Sequence, residues 1–415
     1  MDHWWRTTGT SPAEPAPQCL RIIQPDLSIC PLAFSPSYDQ SNRMNKPFLR
    51  WGILGAANIA RKNWKAIRNS GNGVVKAVAS RELVRSQSFI ADCQMHTPFE
   101  EAPRAEGSYE ELISADDIDA LYIPLPTGIR KDWVMRAAAA GKHVVCEKPC
   151  AVTAIDLAEM IKTCQEHRVQ FMDGVMFMHS RRLDLIRQVL ADPHTVGPIK
   201  RIHSVFNFSV PEEFFASNIR VQNELEPHGC LGDLGWYCIR FVLWAMDWRM
   251  PERVSGRILS ETNNRDGRSP VSTEFSGELF FSGGVSADFY CSFITDLHQF
   301  VNLSGARGSL QIRDFVLPFA GEELTFETQS PEHRVQACDF DLQPNLRRWS
   351  IDEHSHSHAS AQETGLFRHF ADQVLSGTLN PLWPEMALKT QQVMEACRNS
   401  AQAIGRLVTM APGSS

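Results

Sequence analysis

The chain has no apolar run approaching the roughly 20 residues that a membrane-spanning helix needs, and its start, MDHWWRTTGT, lacks the basic and apolar segments of a secretory signal. No membrane role is expected, and the expected location is the cytoplasm. Positive charge is also short, with 41 Lys+Arg against 48 Asp+Glu for a net charge of -7, so no overall basic field exists to attract nucleic acid. The 11 cysteines are odd in number, run from Cys19 to Cys397 and include no C-x-x-C pair. Reduced thiols are expected, not a disulfide framework or a zinc ribbon. No metal site is expected either. The His-Ser-His-Ser-His run at 354–358 has alternate spacing, no cysteine and polar neighbours, and reads as a solvated loop.

What the chain does have is length and an ordinary composition. With 415 residues, 43% hydrophobic and 21% charged, it can hold two or three domains that bury cores. Residues 1–46 supply Pro, Ser and Asn in SPAEPAP and PSYDQSNRMNKP without an apolar period and read as a flexible extension; Met44 offers an alternative start. From Leu49, apolar runs such as LRWGILG, VVKAVAS, ALYIPLP, HVVCEKP and VQFMDGVMF alternate with helical stretches such as NIARKNWKAIRNS and GIRKDWVMRAAAAG. Strands that are apolar nearly throughout, separated by helices, predict a parallel sheet covered on both faces, a doubly wound α/β domain over residues 47–175. Gly141 after an Ala run marks a helix stop, and Thr153 with Asp156 a capping pair.

Beyond about residue 199 the pattern changes. IKRIHSVFNF, STEFSGELFFS, GVSADFYCSFI, QFVNLSG, SLQIRDF, LTFET and RVQACDFDL are strand-like, and Ser282-Gly283-Gly284 joins two of them as a hairpin turn would. The expectation is an α+β domain over 176–375 with a large open, mostly antiparallel sheet. A helical insert at about 229–245 interrupts it. Helices at about 361–375 and 384–406 close the chain, with 376–415 packing back on the body and ending in a short tail. Trp383-Pro384-Glu385 marks a helix start with Pro in the first turn.

Four segments carry chemistry. Gly52-Ile53-Leu54-Gly55-Ala56-Ala57-Asn58-Ile59-Ala60 follows the first strand and opens the first helix. In a dinucleotide fold the tight turn, the close approach to pyrophosphate and the helix–strand packing each need a small residue. Gly55, Ala57 and Ala60 fill those places, and the pyrophosphate would sit on the helix N-terminus. The second strand ends in Val78-Ala79-Ser80-Arg81, with no acidic residue before Glu82. Ser80 and Arg81 suit the extra phosphate of NADP(H), with NAD(H) as the alternative. Glu147-Lys148-Pro149 ends another apolar strand, where strand ends face the ligand crevice. In the insert, Asp233 and Tyr237 are four apart and would share one helical face, an acid and a phenol able to flank one hydroxyl. Three glycines in seven residues there, Gly229, Gly232 and Gly235, imply close approach of another group.

Taken in order, G-I-L-G-A-A-N-I-A-R-K, V-A-S-R, Y-I-P-L-P, G-K-H-V-V-C-E-K-P, G-V-M-F-M-H-S-R and G-D-L-G-W-Y-C resemble the glucose-fructose oxidoreductase and inositol dehydrogenase (Gfo/Idh/MocA) family over residues 48–410, nearest its NADP-dependent dihydrodiol and D-xylose dehydrogenase branch. The resemblance implies a Rossmann domain, a second α/β domain on an open sheet that pairs copies of the chain, and an active site where Lys148 meets Asp233 and Tyr237. It also implies that Gly55, Ala57, Asn58, Ile59, Ser80, Arg81, Pro124, Leu125, Pro126, Thr127, Glu147 and Lys148 hold the cofactor, and that Phe177, His179 and Trp236 line the substrate pocket. Tyr237 stands where many relatives carry His, Ala57 where many carry Gly, and Pro126-Thr127-Gly128-Ile129-Arg130 where many carry P-N-S-x-H. The implied reaction is hydride transfer between a sugar or cyclic vicinal diol hydroxyl and nicotinamide. Tyr237 would exchange the hydroxyl proton, Lys148 would hold the phenol below its usual pKa, and Asp233 would orient a second hydroxyl. A non-catalytic dinucleotide sensor and an NAD-dependent glycoside hydrolase are the alternatives.

Overall fold

Alternating apolar strands and helices build the front of the described chain in this computed structural model, which covers residues 47–262 and 269–410. The expected flexible extension at 1–46 lies outside the described residues. The elements run β1 (Leu49–Leu54), α1 (Asn58–Ser70), β2 (Gly73–Ala79), α2 (Leu83–His96), β3 (Arg104–Glu106), α3 (Tyr109–Ser114), β4 (Ala120–Ile123), α4 (Thr127–Ala139), β5 (His143–Cys146), α5 (Ala154–Glu166) and β6 (Phe171–Asp173). These strands form one sheet in the order β3-β2-β1-β4-β5-β6, and every neighbouring pair is parallel. The order reverses between β1 and β4, and that switch point opens the crevice at the carboxyl ends of the strands. Gly141 ends α4 in the left-handed region at φ 74. The Thr153 hydroxyl accepts from Asp156 N at 3.1 Å, so both anticipated caps form.

The second half follows with α6 (Arg181–Ala191), β7 (Ile199–Asn207), α7 (Glu212–Ser217), α8 (Trp236–Ala245), β8 (Arg253–Glu261), β9 (Ser272–Phe280), β10 (Ser286–Ser292), β11 (His298–Gly305), β12 (Ser309–Ile312), β13 (Glu323–Gln329), β14 (Glu332–Gln336), β15 (Asp339–Gln343), β16 (Leu346–Asp352), α9 (Gln362–Leu375), α10 (Leu382–Gln402) and β17 (Val408–Thr409). Nine strands make a sheet in the order β16-β13-β12-β11-β7-β10-β9-β8-β17, antiparallel except for β7 against β10. The hairpin between β9 and β10 turns through Gly283 and Gly284, both at positive φ. Phe206, Phe275, Leu279, Phe289, Val301 and Leu303 point from the sheet to α8 and its neighbours. The opposite face carries partly exposed Arg201, His203, Asp288 and Tyr290, with Arg201 and His203 both paired to Asp288.

Two expectations change. RVQACDFDL is not one strand of the sheet: Ala337 at φ 54 turns it into the separate β14–β15 ribbon. Helix α9, placed at the end of the second expected domain, packs on the first sheet. Phe367 and Phe370 lie against Trp51 at centroid distances of 5.3 Å, because burying that apolar face needs the aromatic surface β1 offers. Among the described residues no helix is long and apolar enough to cross a membrane.

Candidate active site

The turn from β1 to α1 is built for close approach. Gly55 sits at φ +125, a conformation L side chains rarely adopt, and a Cβ there would meet Leu125 Cδ2 at 3.0 Å. Ala57 precedes α1 without a side-chain cap, and no acidic residue occupies the first turn, so the leading N–H groups around Asn58 and Ile59 face the crevice uncompensated. These features fit a dinucleotide pyrophosphate. Ser80 is buried at the end of β2 and Arg81 is exposed beside it. Arg81 and Arg85 both bear electrostatically on the Tyr109 phenol, whose pKa burial raises against them. Arg85 escaped the sequence reading, although its spacing of four from Arg81 was the available signal.

Pro124, Leu125 and Pro126 carry the chain out of β4 into α4. Thr127 is spoken for. Its N–H donates to Glu226 Oε1 at 3.0 Å and its hydroxyl to Oε2 at 2.6 Å, while Gly128 N donates to Leu225 O at 2.8 Å. Burial pushes the Glu226 carboxyl above its usual range, against the pull of Arg130 and Thr127. The second half of the chain is thus fastened to the start of α4.

Lys148 follows β5, and its bond to Pro149 is cis. Its ammonium donates to Asp233 Oδ1 at 2.6 Å and to the Asp233 carbonyl at 2.7 Å, and lies 4.7 Å from the Tyr237 ring centroid. The expected convergence of front and back halves occurs. A π-helical turn, Leu231–Gly235, presents Asp233 and runs into α8, which carries Tyr237. Gly232 makes this approach feasible, since a Cβ there would stand 3.1 Å from Pro149 Cγ and 2.6 Å from His228 Cβ. The glycine spacing therefore did report close packing.

Asp233 bridges two cations, because Arg220 Nε lies 2.9 Å from Oδ2. Burial opposes its ionisation, but Arg220 and Lys148 more than offset this and hold the carboxyl down at about 2. Asp233 in turn holds the Arg220 guanidinium above its usual value, against burial. Each carboxylate oxygen keeps a lone pair for a hydroxyl donor, so Asp233 can still receive a substrate hydroxyl. Arg220, in the Ile219–Val221 turn, was not singled out from sequence; its segment has no motif, and only folding brings it over Asp233.

Tyr237 departs from expectation. Burial, then the nearby Glu147 and Asp233 charges, push its phenol well above the usual value of 10. The Lys148 ammonium lies over the ring and is bonded to Asp233, so it does not hold the phenol down as anticipated. The Tyr237 hydroxyl faces Met176 Sδ at 3.8 Å. The Glu147 side chain turns inward, where its Oε1 accepts from the Tyr122 hydroxyl at 2.6 Å and, at 3.4 Å, from Asn63 Nδ2.

The three residues expected to line the substrate pocket take other places. Trp236 is fully buried, with Nε1 donating to Asp173 Oδ2 at 3.2 Å, because its N–H needs a partner in the core. Phe177 is enclosed by Tyr237, Phe241 and Phe315 and supports the phenol from behind. His179 faces His369 at 3.1 Å between ring nitrogens, beside Trp383. Burial first, then His369 and Arg240, push its pKa well below the usual value, so it is held neutral. Asp173 and Arg240 form a buried pair at 2.5 Å beneath the site, tying β6 to α8. Among the described residues no group of three or more His, Cys, Asp or Glu could hold a metal ion.

Comparison with known proteins agrees with this architecture. Residues 49–175 match a family model described as an oxidoreductase family with an NAD-binding Rossmann fold. Residues 185–311 match the GFO/IDH/MocA C-terminal domain. The chain is 30% identical over 302 residues to D-xylose 1-dehydrogenase (NADP(+)) 2 of Haloferax volcanii, covering 72% of this chain and 86% of that protein. It is 31% identical over 269 residues to trans-1,2-dihydrobenzene-1,2-diol dehydrogenase of Sus scrofa, covering 64% and 74% respectively. In structure it is similar to a 3-ketoreductase from Actinomadura kijaniata in complex with NADP and TDP-benzene, with a TM-score of 0.71 at 23% identity over 85% of this chain and 98% of that one. A parallel nucleotide-binding sheet in front, a one-sided sheet behind, and two domain matches in that same order have one reading: the chain belongs to the Gfo/Idh/MocA family of NAD(P)-dependent oxidoreductases.

Proposed function

We propose that the protein is an NADP(H)-dependent oxidoreductase that interconverts a sugar or cyclic vicinal diol hydroxyl with the corresponding carbonyl. The observation that carries this reading is the contact of the Lys148 ammonium with Asp233 at 2.6 Å and with the face of Tyr237. The relatives named for D-xylose and for a dihydrobenzenediol support a polyhydroxyl substrate. Arg81 and Arg85, with no acid at the end of β2, support NADP(H) over NAD(H).

When bound, the dinucleotide supplies or accepts the hydride at its nicotinamide ring. The protein does the rest. The α1 N-terminus and the Gly55 turn bind the pyrophosphate, and Arg81 and Arg85 bind the additional phosphate. Asp233, held ionised by Lys148 and Arg220, accepts a hydrogen bond from a substrate hydroxyl and fixes which carbon faces the crevice. The Tyr237 phenol exchanges the proton of the reacting hydroxyl. Kept neutral by its surroundings, it is a ready donor to the oxygen of a carbonyl being reduced, and it becomes an acceptor only at alkaline pH. Two copies, or a higher homo-oligomer, would pair through the open face of the nine-stranded sheet.

The test is turnover of NADP+ and NAD+ with a panel of aldoses, inositols and cyclic diols, read as absorbance of reduced cofactor. Turnover favouring NADP+, lost in Lys148→Ala and Tyr237→Phe, supports the reading. Tight cofactor binding without turnover on any panel member supports a sensor, and release of a sugar from a glycoside with bound NAD supports a glycoside hydrolase.

A further inference from the structure

We propose that Arg130 is a positioning residue whose guanidinium holds the main chain on both sides of Lys148 and so aims the ammonium at Asp233 and Tyr237. The inference rests on the reading of Lys148 given above. Arg130 lies in the first turns of α4 and is 2% exposed. Its Nε donates to the Leu125 carbonyl at 2.9 Å and one terminal nitrogen donates to the Glu147 carbonyl at 2.7 Å. The same nitrogen also donates to the Pro149 carbonyl, and the other returns to Leu125.

Three carbonyls from two neighbouring strand exits therefore converge on one planar group. Glu147 and Pro149 flank Lys148, and both bond a single nitrogen, so Lys148 stands at the apex of a turn closed by one atom. Moving its Cα stretches at least one of those bonds.

Other reasons for an arginine here are weak. Among the described residues no carboxylate forms an ion pair with it, and Glu226, which feels its charge, is bonded to Thr127 instead. A cation near a helix N-terminus opposes the dipole, and burying one without a paired anion is costly. What the group gains is a set of charge-assisted bonds to carbonyls in a rigid fork. A lysine at 130 keeps the charge but brings one nitrogen, which cannot span both strand exits in a plane.

The experiment compares Arg130→Ala and Arg130→Lys in the full chain, alone and combined with Lys148→Ala. A displaced Lys148 should lower kcat about 100-fold in Arg130→Ala, less in Arg130→Lys, with KM and NADP+ affinity within about threefold of wild type. In the Lys148→Ala background, adding Arg130→Ala should lower kcat by less than about threefold, because the residue being aimed is gone. Full additivity, or cofactor affinity falling in step with kcat, overturns the proposal. A second readout needs no turnover: mass-spectrometric rates of reductive methylation of the cofactor-free protein. Lys148 should label about tenfold faster in Arg130→Lys than in wild type, relative to exposed Lys162 of α5. An unchanged Lys148 rate overturns the proposal. Faster labelling in a protein that turns over no panel substrate upholds the positioning role while removing the catalytic reading of Lys148. If Arg130→Ala does not fold, Arg130→Lys carries both measurements.

Discussion

Replacing Asp233 by Asn isolates the charge at the centre of the site. The carboxylate accepts from Lys148 at 2.6 Å and Arg220 at 2.9 Å, on side chains 9% and 41% exposed. The fall of the Asp233 pKa from 3.8 to about 2 corresponds to roughly 2–3 kcal/mol in favour of the ionised, folded form, at about 1.4 kcal/mol per unit. Removing one partner of a buried pair costs about 3–5 kcal/mol when the other is stranded. Here the stranding is incomplete: Lys148 keeps the Asp233 carbonyl at 2.7 Å, and the half-exposed Arg220 can turn to water. The expected loss of unfolding free energy is therefore about 2–3 kcal/mol, measured by urea denaturation of wild type and Asp233→Asn. Its pH dependence follows from the depressed pKa. The contribution is fully present above 3.8 and disappears as pH falls through about 2, so the difference between the two proteins should be constant from neutral pH down to about 4 and shrink below that. A difference under about 1 kcal/mol, the range of an exposed pair, or one that changes between pH 5 and 7, would refute the reasoning.

Tyr237→Phe should lower kcat by about 100- to 10,000-fold with NADP+ affinity unchanged by fluorescence titration; in wild type, alcohol oxidation should keep accelerating into the alkaline range while carbonyl reduction does not, and an oxidation rate that levels off below pH 8 would contradict the raised phenol pKa. Arg81→Ala with Arg85→Ala should weaken NADP+ binding at least about tenfold and leave NAD+ binding nearly unchanged by calorimetry, since each phosphate contact is charge-assisted; equal loss for both cofactors would place these arginines elsewhere. Asp173→Asn leaves Arg240, 1% exposed, without its anion, and should cost about 3–5 kcal/mol of stability in denaturation.

The front half was legible because its physics is local. A buried parallel strand must be apolar throughout, a turn that admits pyrophosphate must be small, and Gly55, Gly141 and Thr153 mark their boundaries by backbone conformation or a single bond. The back half was legible only where alternation was clean. β8 escaped because outward Arg253, Arg257 and Glu261 dilute its apolar residues, and its inward Gly256 serves close packing on α10, where a Cβ would lie 2.1 Å from the Cys397 carbonyl. β16 escaped as a largely exposed edge. In the site, Lys148, Asp233 and Tyr237 carried sequence signals; Arg130 stood out only as a departure from the family's P-N-S-x-H pattern, and Arg220 and Glu226 not at all, because the partners of these three are 17, 13 and 99 residues away and nothing in the local pattern ties them together.

These three residues explain why the site needs both halves of the chain. β5 delivers Lys148 in a turn that Arg130 closes from α4 in the front half of the chain, but the ammonium finds its anion only on the π-helical turn of the second half. That turn comes close only because Gly232 lacks a side chain, and the segment leading to it is fastened to α4 by Glu226 on Thr127. Helix α4 thus bears both the clamp on Lys148 and the fastening of the segment that presents Asp233. Loosening Glu226 should therefore disturb Lys148 and Asp233 together. Glu226→Gln, which keeps the shape but leaves one acceptor oxygen where Thr127 donates twice, should raise the reductive methylation rate of Lys148 and lower kcat in the same preparation. Changes in kcat without any change at Lys148 would mean that the two contacts on α4 act separately.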